Sequence, residues 1–153
     1  MKRIEPREIP GPTEIRVRWR AESRDAMVVR TSGSLDSMTA GDFAERLTAI
    51  LRPAPRHLLF DLGEVDYLSS MGLSVILKTA IRLKDGGSTC RIYDPRPSVR
   101  RVLEIARWDM AILDPAAAGA GSPFFGYLCE EEPLRQSKRL RAPSPAPPRL
   151  FQN

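Results

Sequence analysis

Two adjacent hydroxyls, Ser69 and Ser70, carry the clearest chemical signal in this chain of 153 residues. They follow an apolar run, His57-Leu-Leu-Phe-Asp-Leu62, and a polar link, Gly63-Glu-Val-Asp66. They precede Leu73, Ile76, Leu77 and Ala80, whose i, i+3, i+4, i+7 spacing is the stripe of a helix packed on a sheet. The serines therefore stand where the chain enters a helix. A helix start presents unpaired N–H groups and the positive end of the helix dipole. A hydroxyl or a phosphate is well placed there. The other role open to either serine is that of an ordinary N-cap.

The remaining reactive side chains are scattered. His57 is the single histidine and has no spacing partner for a metal site. Asp61, Glu64 and Asp66 form an acidic trio, but no nucleophile–base pair accompanies them, so a solvated loop is the expectation. No glycine-rich phosphate loop is present, and no cofactor or metal is expected. Cys90 and Cys129 lie in different segments without metal spacing and read as free thiols of a reducing compartment. Asp36, three residues after Gly33, is placed to fix a turn by accepting backbone hydrogen bonds.

The elements that position these residues follow from periodicity. Ile15–Trp19 alternates apolar and basic residues, Ala26–Thr31 reads as a second strand, and the polar Glu22–Asp25 between them makes a hairpin. Thr39 is a credible N-cap with Asp42 as its capping-box acid, and Phe43, Leu47, Ile50 and Leu51 give the next helix its core face. Pro53 and Pro55 stop it. Then come the strand 57–62, the helix 71–84 ended by Gly86-Gly87, the strand Thr89–Tyr93, and a helix with Val99, Val102, Leu103 and Ala106 on one face. Trp108–Leu113 has the makings of a last short strand. The fold class is α/β: a mixed β-sheet with an antiparallel opening hairpin and helices packed on it, in the order β-β-α-β-α-β-α(-β).

Composition sets the domain organisation. The hydrophobic fraction of 42% lies below the usual range of about 45–50% for globular domains, which points to unstructured ends. Residues 1–13 carry Pro6, Pro10 and Pro12 and read as a flexible arm. Residues 14–114 form the domain. Residues 115–153 hold seven of the fourteen prolines and read as a disordered tail, with Phe124–Leu128 its one sticky spot, which either docks on the domain or is simply tolerated. The net charge of +5 is spread along the chain, which argues against a direct nucleic-acid partner. No apolar run approaches the roughly 18 residues of a membrane span, and no signal peptide is evident, so a cytoplasmic protein is expected.

Four stretches, in order, carry a family resemblance: Gly33-Ser-Leu-Asp36 with Thr39-Ala40, Leu59–Leu62, Val65–Leu73 and Pro97–Leu103. Together they resemble the STAS domain, in its free-standing bacterial anti-sigma factor antagonist form. The resemblance spans about residues 14–113. It implies a STAS-like sheet and a regulatory binding module, not an enzyme. The implied partner is an anti-sigma factor, often a serine kinase, whose capture frees a sigma factor and which inactivates the antagonist by phosphorylating it. The family's Asp-Ser-Ser/Thr-Gly-Leu stretch aligns from Gly72 and puts the phosphoacceptor on Ser70. Ser69 stands in place of the aspartate, and Met71 in place of the second hydroxyl residue. The expected partner-binding residues are Asp36, Thr39, Ser69, Met71 and Gly72. The rival implication is a STAS subunit of a membrane transport complex such as a lipid-import ATPase.

Overall fold

A computed structural model of the chain describes residues 7–9 and 14–141. A five-stranded mixed sheet runs in the order β1-β2-β3-β4-β5. Its strands are β1 (Arg7–Ile9), β2 (Ile15–Ala21), β3 (Ala26–Leu35), β4 (His57–Leu68) and β5 (Thr89–Tyr93). β2 and β3 form the expected antiparallel hairpin, from Ala21 opposite Met27 to Ile15 opposite Gly33. β3 and β4, then β4 and β5, pair in parallel. Helices α1 (Ala40–Ile50) and α2 (Ser70–Asp85) make the two parallel crossovers, as the sequence order requires, and α3 (Pro97–Ile105) follows β5.

One face of the sheet holds the main core. Phe43, Leu47, Ile76, Val99 and Leu103 from the helices close over Val17, Val29, Leu58, Phe60, Leu62 and Ile92. The α2 stripe is turned from the expected one. Gly72, Ile76, Ala80 and Leu83 are buried, whereas Leu77 is only half-buried. The reason lies at Gly72: a Cβ there would stand 2.5 Å from the Leu35 carbonyl oxygen, so the helix leans on the end of β3 through its glycine.

Several elements depart from the sequence reading. The acidic trio is not a solvated loop, because β4 continues to Leu68. Asp61 is wholly buried, and Glu64 is tied to Ser32 and Arg30 on β3 and to Arg18 on β2. Only Asp66 is exposed, paired with Arg96 at 2.7 Å. Two register shifts against β3 absorb the polar residues. At Trp108–Leu113 the chain makes a 3₁₀ turn, Asp109–Ala111, and a single bridge between Ile92 and Ile112. The Arg91 guanidinium reaches the Ala111 and Ile112 carbonyls, and pairing with β5 stops at that one bridge.

Both ends also differ. Within the segment expected to be an arm, Arg7–Ile9 pairs with β2, supported by a double Arg16–Glu8 contact and by Arg7 over the Trp19 ring at 5.4 Å. The rest of that arm and residues 142–153 lie outside the described residues. Within the expected tail, Phe125–Arg141 forms a helix, α4. Phe124, Tyr127 and Leu128 pack on Ala26, Val28, Leu59 and Tyr93, on the sheet face opposite the other helices. The tail is ordered there because residues 124, 127, 128, 131 and 135 form a helical stripe. Its charged half, Glu131 and Arg135, finds partners on the sheet and within the helix.

Candidate functional site

The ends of β3 and β4 and the start of α2 meet in one place. The Ser69 amide donates to the Leu35 carbonyl at 2.8 Å and ties the two strand ends together. Ser69 has extended backbone angles, and its hydroxyl oxygen accepts from the Gly72 amide at 3.1 Å. It is the N-cap of α2. Ser70 is the first helical residue and is exposed. The first turn of α2 carries no acidic side chain, and Arg82 and Lys84 sit in its last turn. The start of α2 is thus left free to favour negative charge.

The turn after β3 is built by the other predicted residues. Asp36 Oδ1 accepts from the Met38 amide at 2.8 Å and the Thr39 amide at 3.1 Å. The Thr39 hydroxyl donates to the Ser34 carbonyl at 2.7 Å and accepts from the Asp36 amide at 3.0 Å. Thr39 does occupy the cap position of α1, but its side chain makes no cap bond there. Asp42 is likewise no capping-box acid: it pairs with Arg46 at 2.8 Å. This network holds Met38 at the apex of the turn, 88% exposed.

The six predicted residues thus share one locality but divide by geometry. Ser70 and Met71 face outward, while Thr39 and Gly72 are buried, and Asp36 and Ser69 are partly covered by the bonds they make. Met38 and Tyr67 join Ser70 and Met71 as exposed side chains of these segments. Tyr67 is opposite Ser34 in the β3–β4 register. Sequence reasoning does not find these two, because residue type alone does not separate an exposed Met or Tyr from a core one.

Elsewhere the chemistry is structural. His57 Nδ1 lies 2.8 Å from the Thr89 hydroxyl. Burial pushes the Cys90 thiol up to about 12, away from any thiolate chemistry at neutral pH. Among the described residues, no group of three or more His, Cys, Asp or Glu could hold a metal ion. None of their helices is long and apolar enough to cross a membrane.

The sequence model of the STAS domain family matches residues 19–115. This chain belongs to the STAS domain family. Among its relatives, a putative anti-sigma factor antagonist, BtrV, of Bordetella bronchiseptica is 32% identical over 83 residues, 54% of this chain and 72% of the relative. An anti-sigma F factor antagonist of Paenibacillus polymyxa is 30% identical over 84 residues, with the same coverage, 54% and 72%. The fold is shared with unphosphorylated SpoIIAA, an anti-sigma factor antagonist, at a TM-score of 0.58 and 17% identity, over 80% of this chain and 96% of that one. It is shared equally with an anti-sigma factor antagonist from Mycobacterium paratuberculosis, at a TM-score of 0.58 and 24% identity, over 68% and 87%. α4 lies outside the segment that the STAS model matches.

Proposed function

We propose that this STAS domain is an anti-sigma factor antagonist, a regulatory binding protein rather than an enzyme. Its partner is an anti-sigma factor with serine-kinase activity, and phosphorylation of Ser70 switches the antagonist off. The observation that carries this reading is the division of labour between the serines. Ser69 is committed to capping α2, and Ser70, one residue on, is exposed and unburdened by that cap. Relatives named as antagonists point to the same class. An aspartate at position 69 would cap a helix as well as a serine does. The departure at Ser69 therefore keeps the architecture of the site while removing one negative charge beside the acceptor.

The mechanism is electrostatic. A phosphoserine adds about −1.5 to −2 charges near neutral pH. At the start of α2 that charge is favourable within the domain itself. At a packed protein interface flanked by Met38, Tyr67 and Met71, the same charge must be desolvated or paired. Phosphorylation therefore weakens binding without unfolding the domain. The test is binding of Ser70 variants to the cognate anti-sigma factor. Ser70→Ala should fold and bind, and Ser70→Asp should fold and bind at least tenfold more weakly, a loss of about 1.4 kcal/mol. Equal binding by both variants would reject the switch.

A further inference from the structure

α4 covers the sheet's second face, and the way it is held differs from every other helix contact. Its apolar seal is short: Phe124, Tyr127 and Leu128 against Ala26, Val28, Leu59 and Tyr93, with Leu113 and Ala118 at the margin. From there on, the attachment is ionic and polar, with Arg135 also stacked over the Tyr93 ring at 4.5 Å. The Arg135 guanidinium grips the buried Asp61 carboxylate with two nitrogens, one at 2.8 Å, and reaches Asp94 at 3.0 Å. The Tyr127 hydroxyl donates to the same Asp61. Glu132 accepts from the Tyr93 hydroxyl at 2.7 Å, and Arg139 reaches Asp94 at 2.6 Å. Near the start of the helix, Glu130 pairs with Arg20 at 2.9 Å.

A contact of this kind behaves differently from an apolar one when it opens. Burying a carboxylate and a guanidinium carries a large desolvation cost, and their attraction roughly offsets it. When such a pair separates into water, both ions recover their hydration, so little net free energy opposes the separation. The apolar face under α1, α2 and α3 is much larger, so parting it exposes far more hydrocarbon to water than lifting the short seal of α4 does. The connection to α4 contains no helix or strand, and its Ala118 packs at the margin of the patch. Residues 114–123 contain Ala116-Ala-Ala-Gly-Ala-Gly121, and among the described backbone hydrogen bonds those donated from this stretch are turn-like, such as Ala117 to Asp114 and Ser122 to Gly119. Pro133 lies inside α4 and lacks the N–H that a helix interior uses.

We propose that α4 is a latched strap. It leaves the second face of the sheet as a unit while the body from β2 to α3 stays folded, and Arg135 holds it closed only by compensating the buried Asp61 carboxylate. The open state uncovers Asp61 together with the Ala26, Val28 and Leu59 strip.

Hydrogen exchange on the full chain, read by mass spectrometry, tests this. Amides of residues 128–136 other than Pro133 should exchange at least tenfold faster than those of β4 and α2. Arg135→Ala should speed α4 at least a further tenfold and leave β4 and α2 at the wild-type rate. Arg135→Lys, which keeps the charge but loses the two-pronged grip, should fall between the two. Equal protection of α4 and β4 in the wild type would overturn the proposal, because the whole molecule would then open as one unit. Acceleration of β4 and α2 alongside α4 in Arg135→Ala, or loss of the folded body in that variant, would overturn it as well.

Discussion

The two faces of this sheet are covered by the same kind of element and held by different physics. On one face, three helices bury a continuous hydrocarbon core that includes Phe43, Phe60, Ile76 and Leu103. On the other, a single helix rests on a small apolar patch and a set of ion pairs centred on Asp61. The first arrangement is strongly favourable and non-directional, since it scales with apolar area removed from water. The second is directional and close to break-even, since its charges are nearly as well served by water. The difference teaches where this fold is rigid. The turn at Asp36 and the start of α2, which frame Ser70, are anchored to the hydrocarbon face through Leu35 and Gly72.

The largest effect should come from the hydrocarbon face. Phe60 is wholly buried in β4, and Phe60→Ala should lower the free energy of unfolding by about 3–5 kcal/mol in denaturant titration. A much smaller loss would mean that this face is no better packed than the other. Arg135→Ala comes next. In a rigid protein, stripping a buried ion of its partner costs about 3–5 kcal/mol. Here the strap can lift and rehydrate Asp61, so the loss should be less than half of that range in the same titration. A full-sized loss would erase the contrast between the faces.

A smaller effect is expected at the junction of site and core. Ser69→Ala removes the cap of α2 and should cost about 1 kcal/mol of stability. Ser70→Ala, which breaks no cap, should be close to neutral in thermal unfolding. The smallest effect concerns pH. Burial alone would raise the Glu64 carboxyl, but the Ser32 hydroxyl and the Arg30 and Arg18 guanidiniums outweigh it and hold the group below its ordinary 4.5. A carboxyl with a depressed folded pKa adds stability that is present above its unfolded value and is lost as pH falls through the folded one. The stability difference between wild type and Glu64→Gln should therefore be constant near neutral pH and shrink below about 4.5. A difference that grows in acid would contradict the ion-paired geometry.

The contrast between the faces also explains what can be read from the sequence. The hydrocarbon face is legible because its helices repeat apolar residues at helical spacing and its strands are apolar runs. α4 is not, because half its stripe is charged, and Glu131 and Arg135 look like solvent-facing residues until their partners are known. One signal does exist. Asp61 sits between Phe60 and Leu62 in an apolar strand, and a carboxylate placed there demands a cation from elsewhere in the chain. At the site, type and spacing place the two serines at a helix start and Asp36 in a turn, whereas the choice of Ser70 as acceptor comes from the family resemblance. The roles of Thr39 and Gly72 as buried supports, and the exposure of Met38 and Tyr67, depend on how the strand ends meet, which spacing does not encode.

The proposed switch rests on which serine receives phosphate. The direct measurement is incubation of the full chain with its cognate anti-sigma kinase and ATP, followed by mass-spectrometric mapping of the modified residue. Because Ser69 is held by the Gly72 amide and Ser70 is exposed, phosphate should appear on Ser70, be abolished by Ser70→Ala, and persist in Ser69→Ala. Phosphate on Ser69, or none on either residue while partner binding is intact, would contradict it.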